Sequence, residues 1–248
     1  MGGNTGWPVA GYPRAALGLS AEHLQLLVHS GSRGLGESIL REHARRHGAQ
    51  PLTAGTPEFT EYLRQHDRAV RWGQANRALI AYRFAEQLGA QASPILDVCH
   101  NSVTPTTLCG GGFLHRKGAA PADRGEVVIP GSRGTLSYLV SPRRPAAAGA
   151  GADLDEASAL SLAHGAGRKW KRSETKARLS ERFRPHMLLE TPLKSRVICE
   201  DRNLLYEEAP QAYKDIDSVV AALVQAGLCS IVASFRPVIT YKTRGGGE

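Results

Sequence analysis

The sequence contains no long apolar run and few cysteines, and each absence excludes a class of protein. No stretch of about 18 consecutive apolar residues occurs, which excludes an ordinary transmembrane helix. The first residues have neither the basic region nor the apolar core that directs secretion, so we expect a cytoplasmic protein without a membrane partner. Four cysteines without a Cys-x-x-Cys pair are too few for a disulfide scaffold, and we expect most of them to be reduced and buried.

The composition is that of a basic globular protein without a visible internal repeat. With 42% hydrophobic residues, the chain of 248 residues can build a sizeable core. Its 31 lysines and arginines exceed its 23 acidic residues and give a formal net charge of +8. This excess favours a polyanionic partner such as a nucleic acid or a nucleotide, although a basic protein without such a partner has the same composition.

Hydrophobic patterning predicts both helices and strands. The predicted strands cover residues 23–28, 95–98, 126–129 and 135–140 and a last segment that ends at Lys242. The predicted helices cover residues 37–48, a long helix from the Thr56-Pro57-Glu58 cap to Gly89, the basic segment after residue 168, and residues 216–227. The long helix should bury Phe59, Leu63, Val70, Leu79 and Tyr82.

These elements indicate an α+β fold with mixed or antiparallel sheets flanked by helices and with loops gathered on one side. Residues 1–20 are rich in glycine and proline and are predicted to be irregular, whereas residues 21–248 are predicted to form one domain. Residues 141–152, mostly alanine, glycine and proline, are expected to form a surface loop.

One pentapeptide, His164-Gly165-Ala166-Gly167-Arg168, places a nucleophilic side chain among glycines and an arginine. A neutral imidazole can attack a phosphoryl group and carry it as a phosphoramidate, and glycines allow backbone N–H groups to approach phosphate oxygens. An arginine can grip those oxygens through two parallel hydrogen bonds. The pattern therefore indicates phosphate chemistry, although a histidine beside glycines also occurs in purely structural loops.

Two other histidines, His29 and His100, follow predicted strands and could meet at the same edge of the fold. Imidazole nitrogens suit a divalent metal such as manganese or zinc, whose charge would neutralise a triphosphate. The alternative for each is a hydrogen-bonded structural histidine. The turn of residues 31–36 could bind an anion through its N–H groups and Arg33, or it could be a plain tight turn, and its Gly-x-x-Gly-x-Gly spacing does not match a dinucleotide fingerprint.

Six motifs in this order closely resemble the RtcB family of RNA ligases, over residues 26–242. They are Leu27-Val28-His29-Ser30-Gly31-Ser32-Arg33-Gly34, Asp97-Val98-Cys99-His100-Asn101, His115-Arg116-Lys117-Gly118-Ala119, Pro130-Gly131-Ser132-Arg133-Gly134, His164-Gly165-Ala166-Gly167-Arg168 and Ala212-Tyr213-Lys214-Asp215. The resemblance implies GTP- and manganese-dependent joining of an RNA 3′-phosphate or 2′,3′-cyclic phosphate end to a 5′-hydroxyl end, as in RNA repair or tRNA splicing.

The resemblance also implies roles for individual residues. His164 would be the nucleophile that takes GMP. His29 and His100 would be ligands in the two-metal manganese site of the family. Arg33 and Arg168 would hold the RNA end phosphate. The GTP or GMP pocket would comprise His100, Asn101, Pro130, Gly131, Ser132, Arg133, Ser137, His164, Gly165, Ala166, Gly167 and Lys242. Tyr213 would lie against the base.

The sequence departs from the family at its beginning. Family members carry an Asp-x-x-Cys metal pair and a Gly-Asn-His-Phe motif; here Gly2-Gly3-Asn4 is followed by Thr5 rather than histidine. The expectation is thus an N-terminally truncated RtcB-like fold, an incomplete catalytic domain and an incomplete metal site. Activity would then need a complementing N-terminal chain, an activating protein or self-association. The alternatives are a catalytically incomplete GTP- or RNA-binding remnant, and a metal hydrolase that uses His29 and His100.

Overall fold

A computed structural model of the chain describes residues 17–143 and 152–243, which divide into two compact units. One unit comprises residues 17–117 and the other begins at Gly118. The boundaries of the predicted irregular segment and of the single predicted domain stay predictions, and residues 1–16 lie outside the described part. Most of the loop predicted at residues 141–152 also lies outside it, because residues 144–151 are not among those described.

Two helices and a hairpin make up the unit of residues 17–117. Its elements are α1 (Gly34–His47), α2 (Pro57–Gln87), β1 (Asn101–Thr106) and β2 (Gly112–Lys117). Helix α2 starts as predicted, because the Thr56 hydroxyl accepts the Phe59 N–H at 3.3 Å and Pro57 occupies the first turn. Strands β1 and β2 pair antiparallel, with Asn101 opposite Lys117.

Two predicted strands of this unit are wrong. Residues 23–28 and 95–98 are not in strands, and Leu24 is 84% exposed. An apolar run indicates a tendency to be buried, but a strand also needs a neighbouring strand for its N–H and C=O groups, and no described strand pairs with either run. Burial along α2 is also partly wrong, since Leu79 and Tyr82 are exposed while Phe59, Leu63 and Val70 are half-buried.

The second unit mixes short helices with three small sheets. Its elements are β3 (Ala119–Pro121), β4 (Val127–Ile129), β5 (Ser137–Pro142), α3 (Ala152–Ser158), β6 (Ser161–Ala163), α4 (Arg172–Leu179), β7 (Arg196–Cys199), α5 (Arg202–Glu207), α6 (Ile216–Gln225), β8 (Cys229–Phe235) and β9 (Ile239–Lys242). Strands β4, β5 and β8 form an antiparallel sheet, β3 pairs antiparallel with β6, and β7 pairs parallel with β9. The predicted α+β class is therefore confirmed for the described residues.

The core of this unit consists of two groups of buried side chains. The first lies on the three-stranded sheet and α6, and its fully buried members are Val127, Ile129, Leu139, Val140, Ile216, Val220 and Val232. The second group joins α4, α5 and β7 and contains Leu179, Leu188, Val197, Leu205, Tyr206 and Ala209. Each buried aliphatic side chain stabilises the fold by roughly 1.5–3 kcal/mol, so these groups hold the loops at the strand ends in place.

The cysteine prediction is partly wrong. All four cysteines are free, but only Cys229 is buried; Cys109 is exposed, and Cys99 and Cys199 are half-buried. Cysteine type alone indicates burial only on average, and Cys109 lies in an exposed turn before β2. Among residues 17–143 and 152–243, no helix combines the length and apolarity needed to cross a bilayer.

Candidate functional site

The side chain of His164 is fixed by the strand pair that precedes it. Strand β6 pairs with β3 so that Ala163 lies opposite Ala119, which brings the next residue, His164, beside Gly118. The Nδ1 atom of His164 lies 2.5 Å from the carbonyl oxygen of Gly118. The sheet register therefore joins two of the sequence motifs, the one that contains Gly118 and the one that begins with His164.

This contact determines which nitrogen of His164 carries the proton. A carbonyl oxygen can only accept, so Nδ1 must donate its N–H to Gly118. In a neutral imidazole the other nitrogen, Nε2, then carries the lone pair of the ring plane. The geometry thus leaves Nε2 as the ring nitrogen through which His164 could attack, and its role as a nucleophile stays a prediction.

Gly118 cannot carry a side chain without displacing this imidazole. A Cβ atom on Gly118 would lie 2.9 Å from the His164 Cε1 atom, and the backbone φ of +65° is one that residues with a Cβ rarely adopt. The sequence motif contained Gly118, but sequence analysis assigned it no role. Its function became visible only from the contact with His164.

The turn of residues 130–136 lies against the His164 loop. A Cβ atom on Gly165 would be 3.2 Å from the Pro130 carbonyl oxygen, and one on Gly131 would be 1.9 Å from the Leu136 carbonyl oxygen. Internal hydrogen bonds set the turn: Gly131 N–H donates to Ser137 Oγ at 3.1 Å, and Ser132 N–H donates to Thr135 Oγ1 at 2.8 Å. The structure therefore places Pro130 beside Gly165, and it holds the predicted pocket residues Gly131, Ser132 and Ser137 in the same turn.

The glycine-rich loop after His164 presents backbone donors. Within the described part of the chain, the N–H groups of Gly165, Ala166 and Gly167 donate to no protein acceptor. The Gly167 carbonyl accepts the Lys214 N–H at 3.0 Å, which holds this loop to the segment that contains Tyr213. Three consecutive N–H groups beside a nucleophilic imidazole form a suitable site for an anionic group.

Arg168 is committed to contacts within the protein. Its five N–H groups donate to Trp170 O (3.2 Å), Glu208 Oε1 (3.4 Å), Tyr213 Oη (3.0 Å), Thr175 Oγ1 (3.1 Å) and Glu207 O (2.6 Å). The guanidinium also lies 4.9 Å from the centre of the Tyr213 ring. A phosphate would have to replace some of these acceptors, and the role of Arg168 in holding an RNA phosphate stays a prediction.

Arg133 is a buried residue of the predicted pocket. Its Nη2 donates to the Leu205 carbonyl at 2.9 Å, whereas Nε and Nη1 are buried and have no hydrogen-bond partner among the described residues. Burial lowers the pKa of this guanidinium, and Glu208 and Tyr213 partly oppose that effect. The Nη2 bond therefore links the turn to α5, and the contact of Arg133 with a nucleotide stays a prediction.

Sequence analysis missed Glu208, which contacts several predicted site residues. The Tyr213 hydroxyl donates to Glu208 Oε2 at 2.5 Å, and the Lys242 ammonium lies 3.9 Å from the same oxygen. Burial first, and then the bond to Glu208, raise the pKa of Tyr213 to about 12. The only available signal was an acidic residue five positions before Tyr213, which is too common a pattern to single out.

The predicted metal histidines lie in the unit of residues 17–117. The rings of His29 and His100 are 5.2 Å apart, centre to centre, in a T-shaped arrangement. Two residues of α2 join their loops: Asn76 Nδ2 donates to Ser30 Oγ at 2.9 Å, and Arg77 donates to the Ser30 carbonyl (2.9 Å) and to Asp97 Oδ1 (2.7 Å). Asp97 belongs to one of the six sequence motifs. Asn76 and Arg77 lie in α2, outside every motif, so the sequence gives no sign of their role.

These two imidazoles can supply part of a metal site. They offer two nitrogen ligands of the kind that manganese or zinc accepts. No group of three or more His, Cys, Asp or Glu side chains suited to a metal occurs among the described residues. The residues present thus fit a metal as two of its ligands. That His164 shares a pocket with His29 and His100 stays a prediction.

Arg33 and Asn101 complete the predicted residues of this unit. Arg33 is exposed at the residue before α1, with a backbone φ of +53° that is unusual outside glycine. Asn101 is the first residue of β1, directly after His100. Both therefore lie at the ends of elements, where a side chain can reach a ligand.

Comparison with known proteins agrees with these motifs. A family model described as "tRNA-splicing ligase RtcB" matches residues 12–243. The chain is 50% identical over 233 residues to the RNA-splicing ligase RtcB2 of Escherichia coli. This alignment covers 94% of the chain and 59% of that protein. It is 32% identical over 271 residues to the RNA-splicing ligase RtcB of Mycobacterium tuberculosis and 29% identical over 268 residues to the tRNA-splicing ligase RtcB of Aeropyrum pernix.

These matches cover 93% and 90% of this chain and 59% and 53% of the two relatives, so the chain spans somewhat more than half of their length. The match runs through all six motifs described above and through both compact units. The resemblance inferred from the sequence is therefore confirmed, and the chain belongs to the RtcB tRNA-splicing ligase family.

Proposed function

We propose that this chain carries the guanylylation centre of a GTP-dependent RNA ligase, which joins a 3′-phosphate or 2′,3′-cyclic phosphate end to a 5′-hydroxyl end. The observation that carries the proposal is the bond from His164 Nδ1 to the Gly118 carbonyl, because it leaves Nε2 with the electron pair that attack requires. Family membership supports the reaction class.

In the first step, Nε2 of His164 attacks the α-phosphorus of GTP. The N–P bond forms as the bond to the bridging oxygen breaks, and pyrophosphate leaves. The Gly118 carbonyl would stabilise the positive charge that develops on the ring, because it accepts the hydrogen bond from Nδ1–H throughout. The N–H groups of Gly165, Ala166 and Gly167 are placed to donate to the phosphate oxygens.

In the second step, an oxygen of the RNA 3′-phosphate attacks the phosphorus of the histidine-bound GMP, and Nε2 leaves with its electron pair. The 5′-hydroxyl oxygen then attacks the RNA phosphorus, the new phosphodiester forms and GMP leaves. A 2′,3′-cyclic phosphate must first be opened by water to give the 3′-phosphate. Manganese held by His29 and His100 would supply positive charge that neutralises the triphosphate.

Binding of RNA and of a nucleotide, which are both anionic, would explain part of the formal net charge of +8 on the protein. The pocket would include Pro130, Gly131, Ser132, Ser137 and Lys242, which the second unit holds close to the His164 loop or the Tyr213 segment. His100, Asn101 and Arg133 stay pocket residues by proposal, as does Arg33 for the RNA phosphate.

A further polypeptide is part of this proposal. The unit of residues 17–117 has only one buried hydrophobic residue among those described, Ala85, while Leu24, Leu88 and Tyr82 are more than 60% exposed. Apolar exposure on this scale favours a covering partner. We propose that a polypeptide equivalent to the unmatched part of the longer relatives covers these exposed apolar residues.

The test is an RNA-joining assay with ends of defined chemistry. Purified chain is incubated with a 3′-phosphate RNA and a 5′-hydroxyl RNA, with and without GTP and Mn²⁺, and with and without the unmatched part of the Escherichia coli relative. We expect joining that needs GTP and is lost in His164→Ala. Nucleotide and RNA binding without joining under every condition would favour the binding remnant, and phosphate release that is independent of GTP would favour a hydrolase.

A further inference from the structure

Glu208 lies at the centre of a group of cationic and phenolic side chains, here called the Glu208 cluster: Arg168, Arg172, Tyr213 and Lys242. Its carboxylate accepts from Arg168 at 3.4 Å and from Tyr213 at 2.5 Å. The Arg172 and Lys242 nitrogens lie 3.7 Å and 3.9 Å from its oxygens. The Glu208 side chain is only 12% exposed, so most of its contacts are with protein rather than water.

Separate parts of the chain deliver these groups to one carboxylate. Glu208 follows α5, whose start is capped by the Asp201 side chain. Arg168 and Tyr213 belong to two segments joined by an antiparallel bridge, and Lys242 ends β9, which pairs with β7. No single element could hold all of them, so a shared contact is needed to fix their distances from one another.

Three members of the cluster are more accessible than Glu208, and the Arg172 side chain is the most exposed of them at 70%. The Lys242 side chain is 36% exposed and that of Arg168 is 21% exposed. Lys242 can therefore reach a ligand from the position that Glu208 favours. Tyr213 is held by two bonds, one donated to Glu208 and one accepted from Arg168, which fix the position of its hydroxyl.

We propose that Glu208 is a positioning residue of the guanylate pocket: it holds Arg168, Tyr213 and Lys242 in one arrangement that selects GTP, without touching the nucleotide itself. The inference rests on the proposed function, because that function assigns Lys242 to the nucleotide pocket, with Tyr213 expected against the base; Arg168 takes part as the residue that bonds to both Glu208 and Tyr213. Geometry carries it, since one largely buried carboxylate contacts every one of them.

Electrostatics alone predicts the opposite sign for loss of this charge. Glu208 is one negative charge paired with three cations, so its removal makes the site more positive and should strengthen the binding of any anion. A positioning role predicts weaker binding of GTP, because the three groups lose their common contact. Comparing GTP with a simple anion therefore separates the two explanations.

The experiment measures equilibrium binding of GTP, ATP and inorganic pyrophosphate to the full chain by calorimetry. Glu208→Gln keeps the shape and removes the charge, and Glu208→Asp keeps the charge. Glu174→Gln is the matched control, because Glu174 forms an exposed ion pair with Arg178 in the same unit. We expect Glu208→Gln to lose roughly tenfold in GTP affinity and most of its preference for GTP over ATP, with pyrophosphate bound equally or more tightly.

Glu208→Asp should recover part of the preference for GTP, and Glu174→Gln should resemble the wild type. If Glu208→Gln does not fold, Tyr213→Phe, which removes one contact of the carboxylate and leaves its charge, must also weaken the binding of GTP but not of pyrophosphate. GTP binding as tight as that of the wild type, or tighter, would overturn the inference alone. A wild-type chain that binds no GTP, even with Mn²⁺ and the unmatched part of the Escherichia coli relative supplied, would overturn both proposals. GTP binding under those conditions without labelling of His164 would overturn only the proposed function.

Discussion

The His164 imidazole donates through Nδ1 to the carbonyl oxygen of Gly118, 2.5 Å away. Gly118 immediately precedes β3, and His164 immediately follows β6, so the pairing of these two strands fixes the contact. The tautomer of the proposed nucleophile is therefore set by a bond to the backbone. This arrangement makes the position of the imidazole sensitive to any atom added at Gly118.

Gly118→Ala should displace the His164 ring. The added Cβ would lie 2.9 Å from Cε1, and we expect the rate of guanylylation to fall by about 100-fold because the nucleophile is misplaced. The control is Gly125→Ala, since Gly125 also has a positive φ, +102°, but a Cβ there meets no atom within 4 Å. Equal loss in both variants, measured with labelled GTP, would show that backbone strain rather than the collision is responsible.

Replacement of Arg168 separates its structural contacts from a phosphate contact. Arg168→Gln removes most of five hydrogen bonds and leaves Glu208 with fewer partners, so we expect the free energy of unfolding to fall by roughly 2–4 kcal/mol. Arg178→Gln, at an exposed ion pair, should cost less than about 1 kcal/mol. Urea unfolding measures both. An unchanged stability together with weaker RNA binding would mean that phosphate is the main partner of Arg168.

Arg77→Gln should loosen the loops that carry His29 and His100. Arg77 joins the Ser30 carbonyl to Asp97, so its loss should reduce the affinity for Mn²⁺ by about tenfold. Arg83→Gln is the control, because Arg83 lies on the exposed surface of the same helix. Titration followed by the electron paramagnetic resonance of free Mn²⁺ gives both values. An affinity equal to that of the control would show that these contacts do not position the two histidines.

The stability of the second unit should depend on alkaline pH through Tyr213. Burial, followed by the bond to Glu208, raises the pKa of Tyr213 from 10.0 to about 12 in the folded chain. Because the folded pKa is the higher one, this contribution to stability is complete below pH 10 and is lost as the pH rises through about 12. Tyr213→Phe should therefore lose less stability between these values than the wild type does.

The control for this titration is Tyr82→Phe, at an exposed tyrosine. Chemical unfolding of the three proteins at pH 9 and near pH 11.5 gives the comparison. A steeper loss of stability in Tyr213→Phe than in the wild type would contradict the assignment. Tyr138, whose pKa burial also raises, contributes equally to all three and cancels.

The sequence predicts helices α1, α2, α4 and α6 and strands β4, β5 and β9 because their signals are local, whereas it predicts neither α3 and α5 nor the other described strands. The Thr56-Pro57 cap defines the start of α2, and the alternation before and after the turn of residues 130–134 defines β4 and β5. Residues 23–28 and 95–98 have the same apolar composition as strands. A strand also needs a neighbouring strand, which is often remote in sequence, so local patterning fails there.

The candidate site shows the same division between local and remote information. Motifs identify His164 and the glycines around it because the chemistry is contained in a few adjacent residues. Glu208, Asn76 and Arg77 act through neighbours distant along the chain, so no spacing pattern marks them. The role of Gly118 is likewise a property of the β3–β6 register, which the sequence alone does not specify.

The most direct test of the central claim is mass spectrometry of the chain after incubation with GTP and Mn²⁺, with the unmatched part of the Escherichia coli relative supplied. The account predicts a mass increase of one GMP, located by peptide mapping at His164 and absent from His164→Ala. The adduct should be labile to acid, as a phosphoramidate is. A GMP adduct at another residue, or no adduct under any of these conditions, would contradict it.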